Sequence, residues 1–473
     1  MTPEEFRVAA HDLVDWIADF RERVPELPVR SEVAPGTVRR ALESPLPVAP
    51  EPLSALIADL DAVIVPGLTQ LQSPTSFAWF PANASLASVL GDFTSSGLGA
   101  LGITWQSAPA LTELEEVVTE WMRDLCGLAP EWRGSIQDTA STGCLVAMLA
   151  ARERATNFSE LRGGLQDEPR PLVVYSSPWS HSSVAKAVLL AGFGHDNLRF
   201  VDTDPVTFAV DPEALRLAMA TDLAAGRTPA AVVVNIGTTG TTAIDPVAAI
   251  VEVAREFGAW VHVDAAMAGS AMLLPECRWM FEGIDGADSL GWNPHKWMGT
   301  IVDTSLLYVR DVDHLTRVMA TNPSYLQSAA DGDVVQLKDW GIPLGRRFRA
   351  LKLWFHLRLD GVESIRARLR RDLANAQWLA EQVRAEPDWE VIAPVPLQTV
   401  CVRHVPTGMS GDALDAHTKA WCEAVNATGK AFITPSLHAG QWMVRVSIGV
   451  EGTEREHVAA LWGLMRTSAL ATG

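Results

Sequence analysis

The chain has 473 residues, of which 48% are hydrophobic and 20% charged, with a formal net charge of −19 and a mean hydropathy of +0.10. That length and balance suit a globular protein of two or three domains, and so acidic a surface disfavours nucleic acid and anionic membranes as partners. Five cysteines (Cys126, Cys144, Cys277, Cys401 and Cys422) are odd in number, widely spaced and form no CxxC pair, which argues against a disulfide framework or zinc site and suits a reducing cytoplasm.

In chain order, Thr2, Pro3, Glu4 and Glu5 signal a helix start, and Phe6, Leu13, Val14, Ile17 and Phe20 carry an apolar stripe to about Arg23. The opening residues hold no apolar run, so no signal peptide is expected. A proline-rich connector follows, with Pro25, Pro28, Pro35, Pro45, Pro47, Pro50 and Pro52, and then a short helix over Leu53 to Val65. Two helices on an extended arm make no core of their own, so this segment is expected to pack on another surface, such as a partner subunit. Phe77-Ala78-Trp79-Phe80-Pro81 reads either as a core strand ending in a turn or as an aromatic wall beside a cavity. A helix is expected from Thr112, as N-cap, to Cys126, with Leu114, Val117, Val118, Trp121, Met122 and Leu125 on one face.

Thr139-Ala140-Ser141-Thr142-Gly143 opens an apolar helix. Small hydroxyl residues there cap the helix, and the free N–H groups with the helix dipole can also hold an anion. From Pro171 strands alternate with helices. Strands are expected at Leu172–Tyr175, Ala230–Ile236, Ala259–Asp264 and Ser305–Val309, and helices from His181 through Leu190 and over Val247–Glu256. This alternation predicts a mostly parallel sheet covered on both faces, with ligands at the carboxyl ends of its strands. The longest apolar run, Ala259 to Pro275, is broken by His262 and Asp264 and reads as a buried strand and loop rather than a membrane span. Met319 to Trp340, containing Asn322-Pro323, Tyr325 and Ala329-Ala330, reads as a mobile loop. Helix resumes over Arg347–Arg358. A smaller α+β region then has helices at Glu363–Ala385 and Thr453–Met465 and strands at Thr399–Arg403 and Met443–Ile448.

Three residues carry chemistry. Lys296, within Asn293-Pro294-His295-Lys296-Trp297, has no acidic neighbour nearer than Asp303 and Asp288; a desolvated lysine amine is a nucleophile for carbonyl carbon. Asp264 ends an apolar strand, where a carboxylate needs a cation or a proton donor, such as a protonated pyridine nitrogen. His181 opens a helix, where it is either structural or able to cover such a ring. Serine-hydrolase, zinc-protease, P-loop and dinucleotide fingerprints are absent from the sequence, and the histidines are too scattered for a metal site.

With these residues placed, the chain resembles the group II pyridoxal-phosphate decarboxylases, in particular the aromatic-L-amino-acid decarboxylases. The resemblance runs through Glu5-Phe6, Ala34-Pro35-Gly36, Phe80-Pro81, Ser107-Ala108-Pro109-Ala110 and Thr112-Glu113-Leu114-Glu115. It continues through Val261-His262-Val263-Asp264-Ala265-Ala266, Asn293-Pro294-His295-Lys296-Trp297 and Pro343-Leu344-Gly345-Arg346-Arg347-Phe348-Arg349. It implies an α/β, fold-type-I (aminotransferase-like) architecture: an N-terminal helical arm over 1–85, a large cofactor-binding domain over 86–345 and a small α+β domain over 346–473. It further implies a homodimer and pyridoxal 5′-phosphate as cofactor, while the expected cytoplasmic location rests on the cysteines.

The resemblance also implies roles. Lys296 carries the cofactor covalently, Asp264 meets the pyridine nitrogen and His181 stacks on the ring. Ala140 and Ser141 match the phosphate-binding turn, with Asn293 and His295 nearby, while Thr239 and Ala266 match further cofactor contacts. Tyr325 matches the tyrosine that returns a proton to Cα, directly or through His181. Family members that make aldehydes typically replace this tyrosine with phenylalanine, or the histidine with asparagine; here both decarboxylase residues stand. Trp79, Phe80, Pro81, Leu101 and Ile103, with His181, match the substrate side-chain pocket. Ala82 stands where animal catechol-handling enzymes carry a threonine, which points toward tryptophan or phenylalanine rather than Dopa. The runner-up function is an aromatic aldehyde synthase on the same scaffold. A catalytically silent cofactor-binding scaffold is the alternative of a different class.

Overall fold

The computed structural model describes residues 1–43, 46–321, 323–327 and 330–472; Pro45, Asn322 and Ala329, which the sequence reading used, lie outside the described residues. The chain forms two compact units. The larger comprises Ala82–Ala380 and Val391–Cys401, and the smaller Met1–Pro81, Glu381–Glu390 and Val402–Gly473.

The larger unit is built on seven strands: β1 (Arg133–Gln137), β2 (Leu172–Ser176), β3 (Leu198–Phe200), β4 (Thr228–Asn235), β5 (Trp260–Asp264), β6 (Ser289–Trp292) and β7 (Ser305–Val309). Their spatial order is β1-β7-β6-β5-β4-β2-β3. β7 runs antiparallel to both of its neighbours, and the other pairings are parallel, so the expected mostly parallel sheet is present. β2 and β7 are buried along their whole length and β4 nearly so, which explains their unbroken apolar sequences: side chains on both faces meet protein. β5 is the central strand. Its carboxyl end carries Asp264, in register with Asn235 of β4 and Gly291 of β6. The helix Ala140–Ala155 packs across β4 to β7.

The expected helices at Ser182–Leu190 and Val247–Glu256 form as read. The helix expected from Thr112 starts earlier, at Pro109, with Ala108 as an N-cap that supplies no side-chain bond. Thr112 lies inside it, its hydroxyl donating to the Ala108 carbonyl at 3.5 Å. Proline at the first helical position accounts for the earlier start, since its missing N–H costs nothing there. The face of this helix also differs from expectation. Leu111, Glu115, Val118, Met122 and Cys126 are buried, whereas Val117 and Trp121 are about two-fifths exposed. The buried stripe includes a glutamate because Arg346 meets it: Arg346 Nη2 lies 2.6 Å from Glu115 Oε1 and donates to the Ile136 carbonyl at 2.7 Å. Ile136 N–H also donates to Glu115 Oε1, at 2.7 Å. Periodicity counts a glutamate as a polar position and so rotates the predicted face away from it.

In the smaller unit, Thr2 and Glu5 close a capping box on the helix Pro3–Arg23, none of whose residues is buried in this chain. The second short helix is helical over Leu53–Asp59 and continues as a wider turn through Ile64. The Phe77–Phe80 strand does not form. Instead Phe77 exchanges single main-chain bonds with Phe432 and Ser447, Phe77 and Ala78 are buried, and Trp79 takes a positive φ of 53°. Two further strands of this unit, β8 (Thr434–His438) and β9 (Gln441–Ser447), pair antiparallel. Within the smaller unit Trp389 packs edge-on against Trp421 and Trp462. Among the described residues no helix is long and apolar enough to cross a membrane.

The Glu115–Arg346 pair generates a stability prediction. Glu115→Ala leaves a buried guanidinium without its partner and strips a bond from β1. The expected loss is about 3–5 kcal/mol, read as a lowered urea midpoint with unchanged slope.

Candidate active site

Lys296 sits in a tight five-residue turn, Pro294–Met298, directly after β6. The turn is closed by Gly299, whose φ of +108° favours glycine, and whose N–H donates to the Pro294 carbonyl at 3.0 Å. A second segment clamps this turn. The Asn83 amide donates to the Lys296 carbonyl at 3.2 Å, Ser85 N–H donates to the Gly299 carbonyl at 2.9 Å, and Ile301 N–H donates to the Ser88 hydroxyl at 2.9 Å. Asn83 is buried. Nothing in the sequence reading singled it out; an isolated amide among Ala82, Ala84 and Ser85 was the only signal.

The larger unit brings Lys296, Asp264, His181 and His295 together electrostatically. Burial lowers the Lys296 ammonium pKa, and the Asp264 carboxylate partly restores it. Asp264 Oδ1 accepts from the Ala266 N–H at 3.0 Å, which aims the carboxylate along the loop after β5. His181 is lowered by burial and then by Lys296, with Asp264 opposing. Its Nδ1 accepts from the Ser183 N–H at 3.1 Å and lies 2.7 Å from the Ser183 hydroxyl. His295 is pushed down to about 4 by burial, with Lys296 adding to the shift. Because Thr304 N–H donates to His295 Nδ1 at 3.0 Å, the neutral ring carries its proton on Nε2 and offers a donor there.

Thr139 caps the helix Ala140–Ala155, its hydroxyl accepting from Thr142 N–H. Ala140 is half-buried and Ser141 exposed at that N-terminus. Thr239 is half-buried in the loop after β4, where Gly237 N–H reaches back to the Ala243 carbonyl and Ala243 N–H donates to Thr238 Oγ1 at 3.0 Å. The buried Asn293 has its Oδ1 without a hydrogen-bond partner.

The remaining candidates lie apart from that cluster. Tyr325 is 78% exposed on the turn Ser324–Leu326, so in one chain it faces solvent rather than the lysine. The far end of its loop is nonetheless anchored. Gln336 Oε1 accepts from the Trp105 N–H at 3.0 Å, Gln336 Nε2 donates to Asp331 at 2.8 Å, and Gln137 Nε2 donates to the Trp340 carbonyl at 3.1 Å. Ile103 is half-buried and Leu101 exposed, on the segment that pairs with Arg346 through Gly102. Ala82 is exposed. Trp79, Phe80 and Pro81 belong to the smaller unit, where the Trp79 N–H donates to Thr434 Oγ1 at 2.8 Å and its indole packs edge-on against Phe432.

Comparison with known proteins gives a consistent result. Residues 35–405 match the family described as the pyridoxal-dependent decarboxylase conserved domain. The chain is 40% identical to the phenylacetaldehyde synthase of Arabidopsis thaliana, over 99% of this chain and 96% of that one. It is 39% identical to the aromatic-L-amino-acid decarboxylase of Catharanthus roseus, over 98% and 93%. It superposes on the crystal structure of Oryza sativa TDC with PLP and tryptamine with a TM-score of 0.96 at 35% identity, covering 100% of this chain and 99% of that one.

The buried histidines give a pH prediction. His262 and His295 are pushed down to about 4 and His356 to about 3, all mainly by burial. An unfolded histidine titrates near ~6.5. Below that pH the unfolded chain takes up protons that the folded chain refuses, so stability present above pH ~6.5 is lost as pH falls toward ~4. Asp245, raised to about 6, and Glu116 and Glu160, also raised by burial, act in the opposite sense, while His438, lowered to about 4, and His181, His404 and His417, also lowered, add to the histidine effect. Urea unfolding free energy is expected to climb between pH ~4 and pH ~6.5; a flat or falling profile there contradicts the assignment.

Proposed function

The chain belongs to the pyridoxal-dependent decarboxylase family, and on that premise we propose that it converts an aromatic L-amino acid, tryptophan or phenylalanine ahead of tyrosine and Dopa, to the amine and carbon dioxide. It is a pyridoxal-phosphate-dependent carboxy-lyase of fold type I. The observation that carries the reading is the buried lysine amine sharing its site with the strand-end Asp264. The residues present fit the cofactor: an amine for its aldehyde, a carboxylate for its ring nitrogen, the helix N-terminus at Thr139 for its phosphate, and an unmatched buried Asn293 Oδ1 for a further polar contact.

When bound, pyridoxal phosphate supplies the electron sink that accepts the pair released as the Cα–carboxylate bond breaks. The proposed roles of the protein are these. Lys296 holds the cofactor, and its lowered pKa keeps a larger share of the amine unprotonated for exchange with substrate. Asp264 holds a proton on the ring nitrogen. His181 covers the ring, and His295, donating from Nε2, joins the Ala140-Ser141 turn, Asn293, Thr239 and Ala266 around the cofactor. Tyr325 returns the proton to Cα, and its loop excludes water. The apolar residues that the resemblance assigns to the substrate side chain, Trp79, Phe80, Pro81, Leu101 and Ile103, suit an aromatic ring and would strand a second carboxylate. Ala82 offers no hydroxyl for a catechol, which supports tryptophan or phenylalanine. A homodimer is proposed because the helix Pro3–Arg23 leaves Phe6 and Val14, and the helix Leu86–Leu98 leaves Leu86, Leu90 and Phe93, about half exposed in a single chain.

The resemblance to a phenylacetaldehyde synthase favours a second reading, in which oxygen and water are consumed and aldehyde, ammonia, hydrogen peroxide and carbon dioxide are released. The presence of both Tyr325 and His181 supports amine formation instead. Purified protein is expected to absorb near ~420 nm with cofactor bound through the lysine and to give amine without peroxide, with kcat/KM for tryptophan or phenylalanine above that for Dopa. Lys296→Ala should abolish that absorbance and lower turnover by at least ~10³-fold. Tyr325→Phe should divert product from amine to aldehyde with peroxide; an unchanged amine yield removes Tyr325 from the proton step.

A further inference from the structure

Ser183 lies two residues beyond His181, within the first turn of the helix that His181 caps. The usual helix cap is a hydroxyl or carboxylate oxygen; here the cap is a ring nitrogen. The Ser183 main-chain N–H donates to His181 Nδ1 at 3.1 Å, and the Ser183 hydroxyl lies 2.7 Å from the same atom. A main-chain N–H can only donate, so Nδ1 must present its lone pair. A neutral imidazole with an acceptor at Nδ1 carries its hydrogen at Nε2. The N–H is fixed by the helix, and Ser183 is buried, so the constraint does not depend on a mobile side chain alone. Burial disfavours the doubly protonated ring, and Lys296 and Lys186 add to that while Asp264 opposes it.

We infer that Ser183 is a positioning residue for the proton step: its main-chain N–H and hydroxyl lock His181 as the Nε2–H tautomer, so that the ring offers a donor rather than an acceptor at its outer edge. The inference rests on the proposed roles of His181 and Tyr325 and decides between the two proton routes. A ring already protonated at Nε2 cannot take the tyrosine proton there. It can donate a hydrogen bond to the tyrosine oxygen while that oxygen gives up its own proton. The O–H bond of Tyr325 breaks and a C–H bond forms at Cα, using the electron pair left by the departing carboxylate. The resulting phenolate is held by the Nε2–H until water reprotonates it. Imidazole thereby stabilises the developing phenolate and remains neutral throughout.

The direct test is the tautomer itself. Full-length protein with 15N-labelled histidine, with and without cofactor, has 11 histidines, and the His181 signal is assigned by its loss in His181→Gln. The expected pattern is an unprotonated Nδ1 and a protonated Nε2 at neutral pH; an Nδ1–H tautomer or an imidazolium overturns the inference. Ser183→Ala removes the shorter contact. It is expected to lower kcat several-fold and raise the peroxide-to-amine ratio, with KM and the ~420 nm absorbance kept, and Ser183→Thr should restore both. Ser183→Ala keeps the main-chain N–H, so wild-type kcat and product ratio there overturn the part of the inference assigned to the hydroxyl. His181→Gln separates the two levels. If it leaves rate and products unchanged, the reading of His181 has failed; if it impairs them while Ser183→Ala does not, only the role of Ser183 has.

Discussion

A lysine amine withdrawn from water within reach of one carboxylate is the constraint on which the larger unit depends. Neither charge is tolerable alone in an apolar interior. Burial lowers the pKa of the amine, and Asp264, at the end of the central strand, opposes that shift. A lysine on a flexible loop would escape to solvent. The turn after β6 prevents that, because main-chain bonds close it from within and Asn83, Ser85 and Ser88 grip it from outside. Strand order, turn and clamp together hold an amine and a carboxylate, each half-buried, in one site where a cofactor can take both.

The surrounding histidines follow the same logic. His181 and His295 each receive a main-chain N–H at Nδ1, and each is pushed toward the neutral form by burial. A positive ring would compete with the lysine for the one carboxylate. Neutral rings with a defined hydrogen leave the balance between Lys296 and Asp264 intact and still provide donors. The same chemistry thus serves two elements that share no sequence similarity, a helix start and a turn.

The parts of this arrangement legible in the sequence were those written in local pattern. The strands at Leu172, Ala230, Trp260 and Ser305 announced themselves as apolar runs, and Asp264 stood out because it ended one of them. Lys296 stood out because no nearby residue explained it. What could not be read were features made by distant partners. Glu115 looked polar and turned out to be buried, since its partner Arg346 lies far along the chain. β1 was invisible because Arg133-Gly134-Ser135-Ile136-Gln137 has little strand character of its own and is held by β7 and that ion pair. Asn83 acts on a carbonyl more than two hundred residues away, and no spacing rule reaches so far.

The grip on the lysine turn has a mechanical corollary. Ser85, which donates its N–H to Gly299, is also the cap of the helix Leu86–Leu98, and that helix shows Leu86, Leu90 and Phe93 to the outside. The outer stripe and the turn that carries the amine are therefore joined by one short stretch of chain. The connection from the stripe to the main chain of the lysine turn runs through that helix cap and the Ser85–Gly299 hydrogen bond, outside the sheet.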